Sequence, residues 1–264
     1  MDYVKVNAEL WDEWAKDDCA FSIPISHEDF VKIHDDEWNI FATPLKPVPK
    51  HWFGNLNGKR VLCLAGGGGQ QAPIFAALGA EVTVFDVSQA QLDLDKLVAE
   101  REKINLILIK GDMSKRLPFE DEYFDIIFNP VSTTYIQKVE PLWKECYRIL
   151  RKNGHLITGI ANPDLFAFEI TKDELELKYP LPYDPLKNNY ETPNDRFKDV
   201  QFSHSITTQI GGQLKAGFIL QDLYEDHHDC ISSNNSLKAQ MKPAKIAEIL
   251  TNFLPIYIVT LSKK

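Results

Sequence analysis

An α/β fold, with a parallel sheet covered by helices on both faces, is predicted by three observations. Short apolar runs alternate with segments of helical periodicity from residue 60 onward. The first run, Arg60-Val61-Leu62-Cys63-Leu64-Ala65, ends in four glycines, Gly66 to Gly69. The next two runs end at or just before an acid, Asp86 and then Asp112. Parallel neighbours cannot be joined by a tight hairpin, so each helical segment reads as a right-handed crossover.

Taken in order, Arg60 to Ala65 is a buried strand and the glycines are a tight turn. Gln70 to Leu78 is a helix, with Pro73 tolerable in its first turn and Gly79 at its C-terminal cap. Glu81 to Asp86 is the second strand. Ser88-Gln89-Ala90-Gln91 has the spacing of a capping box, opening a helix that runs to about Glu102. Asn105 to Ile109 is a third strand leading into Gly111-Asp112-Met113, and Phe124 to Asn129 is a fourth. Val139, Leu142, Trp143, Cys146, Ile149 and Leu150 repeat at helical spacing before the turn Asn153-Gly154 and a fifth strand, His155 to Ile160. A helix over Ser205 to Lys215, strands over Phe218 to Tyr224 and Ile256 to Ser262, and a helix over Pro243 to Phe253 complete the pattern.

Two stretches stand outside this rhythm. Residues 1–57 read as an irregular cover segment before a domain over 58–264. They hold four of the five tryptophans (Trp11, Trp14, Trp38, Trp52), and Pro44, Pro47 and Pro49 extend the chain before Trp52. So many large apolar groups supply the burial that a disordered arm lacks. Residues 162–203, with Pro180, Pro182, Pro185 and Pro193, form an insertion too long for a mere connector. Both are expected to frame a site.

The 264 residues carry 29 basic and 38 acidic side chains, a formal net charge of −9. That balance speaks against a groove tracking the phosphates of nucleic acid. No apolar run is long enough to cross a bilayer, and the start shows no charged-then-apolar leader, so the expected location is cytoplasmic. The four cysteines stand far apart, which suggests neither a disulfide framework nor a zinc knuckle. His227-His228-Asp229-Cys230 reads as a solvated loop, because adjacent histidines in a strand face opposite ways; no metal is expected.

The chemistry lies at the strand ends. A strand, a glycine turn and a helix N-terminus gather unpaired N–H groups around a ligand's polar group. Asp86, nineteen positions past Gly67, is placed to accept from both hydroxyls of a ribose. Gly67-x-Gly69-x-x-Ala72 meets the loose dinucleotide fingerprint, which by itself also permits a nicotinamide-dependent oxidoreductase. Gly111-Asp112-Met113 argues for another nucleoside cofactor: a carboxylate for an adenine amine beside an apolar side chain for its ring. Asn129-Pro130-Val131 ends the fourth strand opposite the glycine turn.

With these residues the chain resembles the class I S-adenosylmethionine-dependent methyltransferases of small-molecule type. The resemblance spans about residues 58–262. Val61 to Gly69 are similar to the first motif, Asp86 to the ribose-binding acid, Gly111-Asp112-Met113 to the adenine motif and Phe124 to Val131 to the fourth-strand motif. Leu150 to Leu156 is similar to the turn into the fifth strand, and Leu64 to Gln71 resembles a methyltransferase type 11-like bacterial subgroup. The resemblance implies a doubly wound, seven-stranded, Rossmann-like sheet whose last strand is antiparallel. It implies S-adenosylmethionine as cofactor and a small-molecule methyl acceptor. The cofactor-binding residues it implies are Ala65, Gly66, Gly67, Gly69, Gln70, Asp86, Val87, Gln91, Asp112, Met113, Asn129 and Val131. The family commonly has an acid where Cys63 stands and a glycine where Ala65 stands, so a non-catalytic S-adenosylmethionine-binding protein is the other alternative. Tyr135 is the one catalytic candidate. His27, His34, His51 and His204 fall in the covering segments without marking a base.

Overall fold

The computed structural model describes residues 2–17, 19–170, 175–187, 199–227 and 254–264. Its main sheet has seven strands: β1 (Arg60–Leu64), β2 (Glu81–Asp86), β3 (Leu106–Lys110), β4 (Phe124–Asn129), β5 (Leu150–Ala161), β8 (Ile219–Asp226) and β9 (Tyr257–Lys263). They lie in the order β3-β2-β1-β4-β5-β9-β8. Pairings from β3 across to β5 are parallel, whereas β9 runs antiparallel to both β5 and β8. The expected α/β class, strand number and antiparallel last strand are all present. Strand order reverses between β1 and β4, so a crevice opens there at the carboxyl ends.

Alternation along β1 sends its side chains to two cores. Val61 and Cys63 join Val82, Val84, Ile126 and Phe128 on one face, under Phe75 of α3 (Ala72–Ala77) and Leu92 of α4 (Gln89–Glu102). Leu62 and Leu64 join Ile127 and Leu156 on the other. There α5 (Glu140–Ile149) buries Leu142, Trp143, Cys146 and Ile149, the stripe its periodicity predicts. Beside it lies α6 (Ile206–Ala216), capped by the Ser205 side chain at one end and by left-handed Gly217 at the other.

The first 57 residues differ from the irregular segment expected. They contain α1 (Tyr3–Lys16) and α2 (His27–Lys32). Asp2 caps α1 by accepting from Lys5 N–H, and Ser26 caps α2 by accepting from Asp29 N–H. Tyr3, Asn7, Leu10 and Trp14 already carried the helical spacing, masked by the acids among them. Further along, Ile40, Val48, Trp52, Phe53 and Leu56 are buried in the first core, so this stretch braces the sheet itself.

Smaller differences follow from local geometry. β5 begins at Leu150 and runs through the predicted turn, with a register shift against β4 and Asn153 in the left-handed region at φ 65°. A short hairpin of β6 (Phe168–Ile170) and β7 (Leu175–Leu177) stands within the insertion. The helix expected over Pro243 to Phe253 lies outside the described residues. Among the described residues, no helix is long and apolar enough to cross a membrane.

Gly159 of β5 ties the N-terminal stretch to the sheet: a Cβ there would stand 2.3 Å from the Ala42 carbonyl oxygen, and that carbonyl accepts from Val131 N–H at 2.9 Å. Gly159→Ala is therefore expected to lower the unfolding free energy by about 1–3 kcal/mol in urea titrations. An unchanged midpoint would contradict this close approach.

Candidate active site

A cavity of about 980 Å³ opens at the carboxyl ends of β1, β2, β3 and β4. Ala65, Gly66, Gly67, Gln70, Asp86, Val87, Gln91, Asp112, Met113 and Val131 line it, as does Tyr135. The turn begins at Ala65, a non-glycine residue held at φ 50°, whose N–H donates to the Phe85 carbonyl at 2.7 Å. Gly67 must lack a side chain, because a Cβ would stand 2.9 Å from Gln91 Cβ. Gly68 and Gly69 turn away from the cavity at φ 114° and 70°.

Two carboxylates hold the turn from behind. Asp86 accepts from Gly67 N–H at 3.0 Å and from Ser88 N–H at 2.9 Å, with Val87 N–H a third backbone donor, while its carboxyl lines the cavity. Burial raises its pKa, opposed by the N–H groups of Ser88 and Gly67. Asp95, completely buried on α4, accepts from Gly68 N–H and Gly69 N–H, both at 3.1 Å. It was not foreseen. The available signal was an acid three positions from both Leu92 and Val98, inside the apolar stripe of its helix. Burial pushes its pKa up to about 8 despite the two donors. Asp95 anchors the glycine turn in a chain whose β1 carries the buried thiol of Cys63.

Several predicted residues take parts other than those expected. Asn129 is fully buried: its amide donates to the Leu64 carbonyl and to Ser132 Oγ, both at 2.8 Å, and its oxygen accepts from Thr158 at 3.0 Å. All its polar atoms are engaged inside the protein, so it braces the turn after β4 and does not line the cavity. Gly69 is likewise turned inward, its carbonyl accepting from Ile25 N–H. Only half of the capping box forms. Ser88 accepts from Gln91 N–H, but the Gln91 amide reaches Ser22 Oγ at 2.6 Å and the Trp11 carbonyl at 3.2 Å. Gln91 Oε1 stays buried without a partner beside the cavity. Gln70 donates to the carbonyl of Ile23 at 2.9 Å. Asp12 of α1 completes the seam, accepting from Ser88 Oγ at 2.5 Å and from Ala90 N–H at 2.9 Å.

At the third strand end, Asp112 accepts from Ser114 N–H at 2.8 Å and Met113 is nearly buried beside it. Tyr135, in the turn after β4, hydrogen-bonds the carboxyl of Asp199. Burial, with Asp199 and Tyr257 close by, drives the Tyr135 pKa well up, so its hydroxyl stays protonated and serves as a donor. None of the four histidines lines the cavity. His27 pairs with Glu102 at 2.9 Å, His34 meets Phe30 edge to face, His51 is exposed, and His204 bonds the carbonyls of Thr133 and Ile136. His227 pairs with Glu225 at 3.7 Å, while His228, Asp229 and Cys230 lie outside the described residues.

The residues fit a nucleoside cofactor: a side-chain-free turn, a free acceptor at Gln91, and carboxylates at consecutive strand ends. The comparisons agree. Residues 62–158 match the family model described as Methyltransferase domain. The chain is 39% identical over 227 residues to the uncharacterized methyltransferase YbaJ of Bacillus subtilis, covering 83% of this chain and 89% of that one. It is 26% identical over 159 residues to a ubiquinone biosynthesis O-methyltransferase of Acinetobacter baylyi, covering 58% of this chain and 63% of that one. A solved S-adenosylmethionine-dependent methyltransferase from Mesorhizobium loti superposes with a TM-score of 0.60 at 17% identity, over 81% of this chain and 95% of that one.

The Asp95 anchor has a pH signature. Its folded pKa of about 8 lies above the ordinary aspartate value of 3.8, so between those values the folded chain holds a proton that the unfolded chain has released. Its contribution to stability is full below about pH 4 and is lost as pH rises to about 8. The stability difference between wild type and Asp95→Asn is expected to shift toward the variant across that window in urea titrations. Parallel curves would contradict it. Family relationship, fold and site coincide on the same residues: the chain belongs to the class I S-adenosylmethionine-dependent methyltransferases.

Proposed function

We propose that this methyltransferase acts on a small-molecule acceptor, bound in the part of the cavity walled by described residues of the N-terminal segment, such as Trp11, Phe21 and Phe41, and of the insertion, such as Leu165, Phe166 and Asp199. One observation supports this most. The cavity that begins at the glycine turn continues into aromatic walls from both segments, Trp11, Phe21, Phe41 and Phe166 among them. A pocket closed in this way suits a compact molecule. The net charge of −9 adds to the case against a nucleic-acid acceptor.

In this reading Asp86 accepts from the ribose hydroxyls, Asp112 accepts from the adenine amine and Met113 covers the ring. Gly66, Gly67 and the free oxygen of Gln91 face the amino-acid end. S-adenosylmethionine supplies an electrophilic methyl on its sulfonium, so the protein's work is to align the acceptor and exclude water. The seam of Asp12, Gln70 and Gln91 couples the cover to the turn, so the two parts of the site are held in register.

Asp86→Ala removes the acceptor of two hydroxyl donors, and binding of S-adenosylhomocysteine by calorimetry is expected to weaken about 10- to 100-fold. Wild-type affinity in the variant would refute the ribose assignment. With labelled S-adenosylmethionine and a cell extract, label is expected in the fraction freed of protein and nucleic acid. Label confined to precipitated macromolecules would refute the small acceptor.

A further inference from the structure

The acceptor end of the cavity has a distinct electrostatic character. Asp199, at the end of the insertion, lines it while only 6% exposed. Its carboxyl is held by Gln201 Nε2 at 2.5 Å and by the Tyr135 hydroxyl. The Tyr135 ring stands beside it, and next to Tyr135 on the cavity wall are Trp11, edge to face at 5.7 Å between centroids, and Tyr257. Among the described residues that line the whole cavity, five are acids (Asp29, Glu37, Asp86, Asp112, Asp199), and none is lysine, arginine or histidine. Asp29 and Glu37 are exposed, whereas Asp86 and Asp199 are buried.

A carboxylate beside apolar walls is costly to keep charged unless a cation meets it. Ring faces attract cations as well, and exposed acids at a mouth draw them in. An anionic acceptor would find no cationic side chain among the described lining residues, although Lys32 pairs with Asp29 at the mouth. A neutral hydroxyl acceptor would leave the buried carboxylate without a counter-charge, and Tyr135 is held protonated.

We propose that the acceptor is a small amine that enters as its ammonium ion, held by Asp199 within the rings of Trp11, Tyr135 and Tyr257. The assignment deepens the small-acceptor reading above and rests on it. The ammonium passes one proton to the Asp199 carboxylate and so frees its nitrogen lone pair. That lone pair forms the N–C bond to the methyl carbon as the C–S bond breaks, its electron pair remaining on sulfur. The product is an N-methylammonium ion, and the proton on Asp199 returns to water. Burial raises the Asp199 pKa, which suits a group that accepts a proton in the ligand's presence.

The test uses the whole protein saturated with S-adenosylhomocysteine and three probes of similar shape: phenethylamine, phenethyl alcohol and phenylacetate. Tryptophan fluorescence titrations at neutral pH are expected to show the amine binding at least about tenfold more tightly than the alcohol, with phenylacetate weakest. Asp199→Asn is expected to erase that preference and to leave the affinity for S-adenosylhomocysteine unchanged. Equal or tighter binding of the alcohol or phenylacetate overturns the proposal, as does failure of the amine to bind. A preference that survives Asp199→Asn overturns it too. Weakened S-adenosylhomocysteine binding in that variant would assign Asp199 to the cofactor instead. The wild-type comparison stands whether or not the variant folds. Label reaching small molecules of the extract without any preference for the amine would fault the amine alone; no label there would fault the small acceptor itself.

Discussion

Three consecutive backbone N–H groups, those of Gly67, Gly68 and Gly69, must be satisfied in a turn whose outer face is left to a ligand. Asp86 takes the first and Asp95 the other two, with the Gly68 N–H also shared by the Gln91 carbonyl at 3.1 Å. An unpaired buried N–H costs more than a typical hydrogen bond contributes, so this bracing decides whether the turn exists in one shape. Ala65 in the left-handed region and the absence of side chains at Gly67 to Gly69 follow from the same demand. Everything else about the site is arranged relative to that turn.

The cover is a case in point. Its contacts converge on the turn and on the N-terminus of α4, through Asp12, Ser22, Ile23 and Ile25. An acid at a helix N-terminus is favoured by the dipole as well as by the N–H groups it accepts from. The Ser88 N–H that the Gln91 side chain would have accepted in a complete capping box goes to Asp86 instead, while Asp12 takes Ala90 N–H in the same turn. Gln91, released from that task, joins the turn to the cover. Asn7 binds the backbone of Val200 in both directions, at 2.8 and 3.0 Å, so α1 also fixes the end of the insertion where Asp199 lies.

Legibility in the sequence followed the range of the interactions. The alternating elements, the glycine turn, Asp86, and Asp112 with Met113 were readable because each is set by periodicity or by spacing within one βα unit. The helix α1 was readable in principle, but its apolar stripe is narrow and mixed with acids. Asp95 showed only as a charge within an apolar stripe, and an acid there is as readily a solvated residue until its acceptors are known to meet two N–H groups. Asn129 illustrates the converse. Its position at a strand end was right, yet its side chain is consumed by Leu64, Ser132 and Thr158, the last of which belongs to another strand.

The sequence by itself determined the order of the main-sheet strands and their crossover helices, the place of the turn and the family, because these depend on local pattern and on motifs at short separation. The tertiary structure alone decided which side chains close the cavity. Trp11, Tyr135, Asp199 and Tyr257 come from four distant parts of the chain and meet because α1, the turn after β4, the insertion and β9 pack around the carboxyl ends of one sheet. No periodicity encodes such a meeting. It results from burial of faces that are far apart in sequence, and it sets the charge and shape that an acceptor has to match.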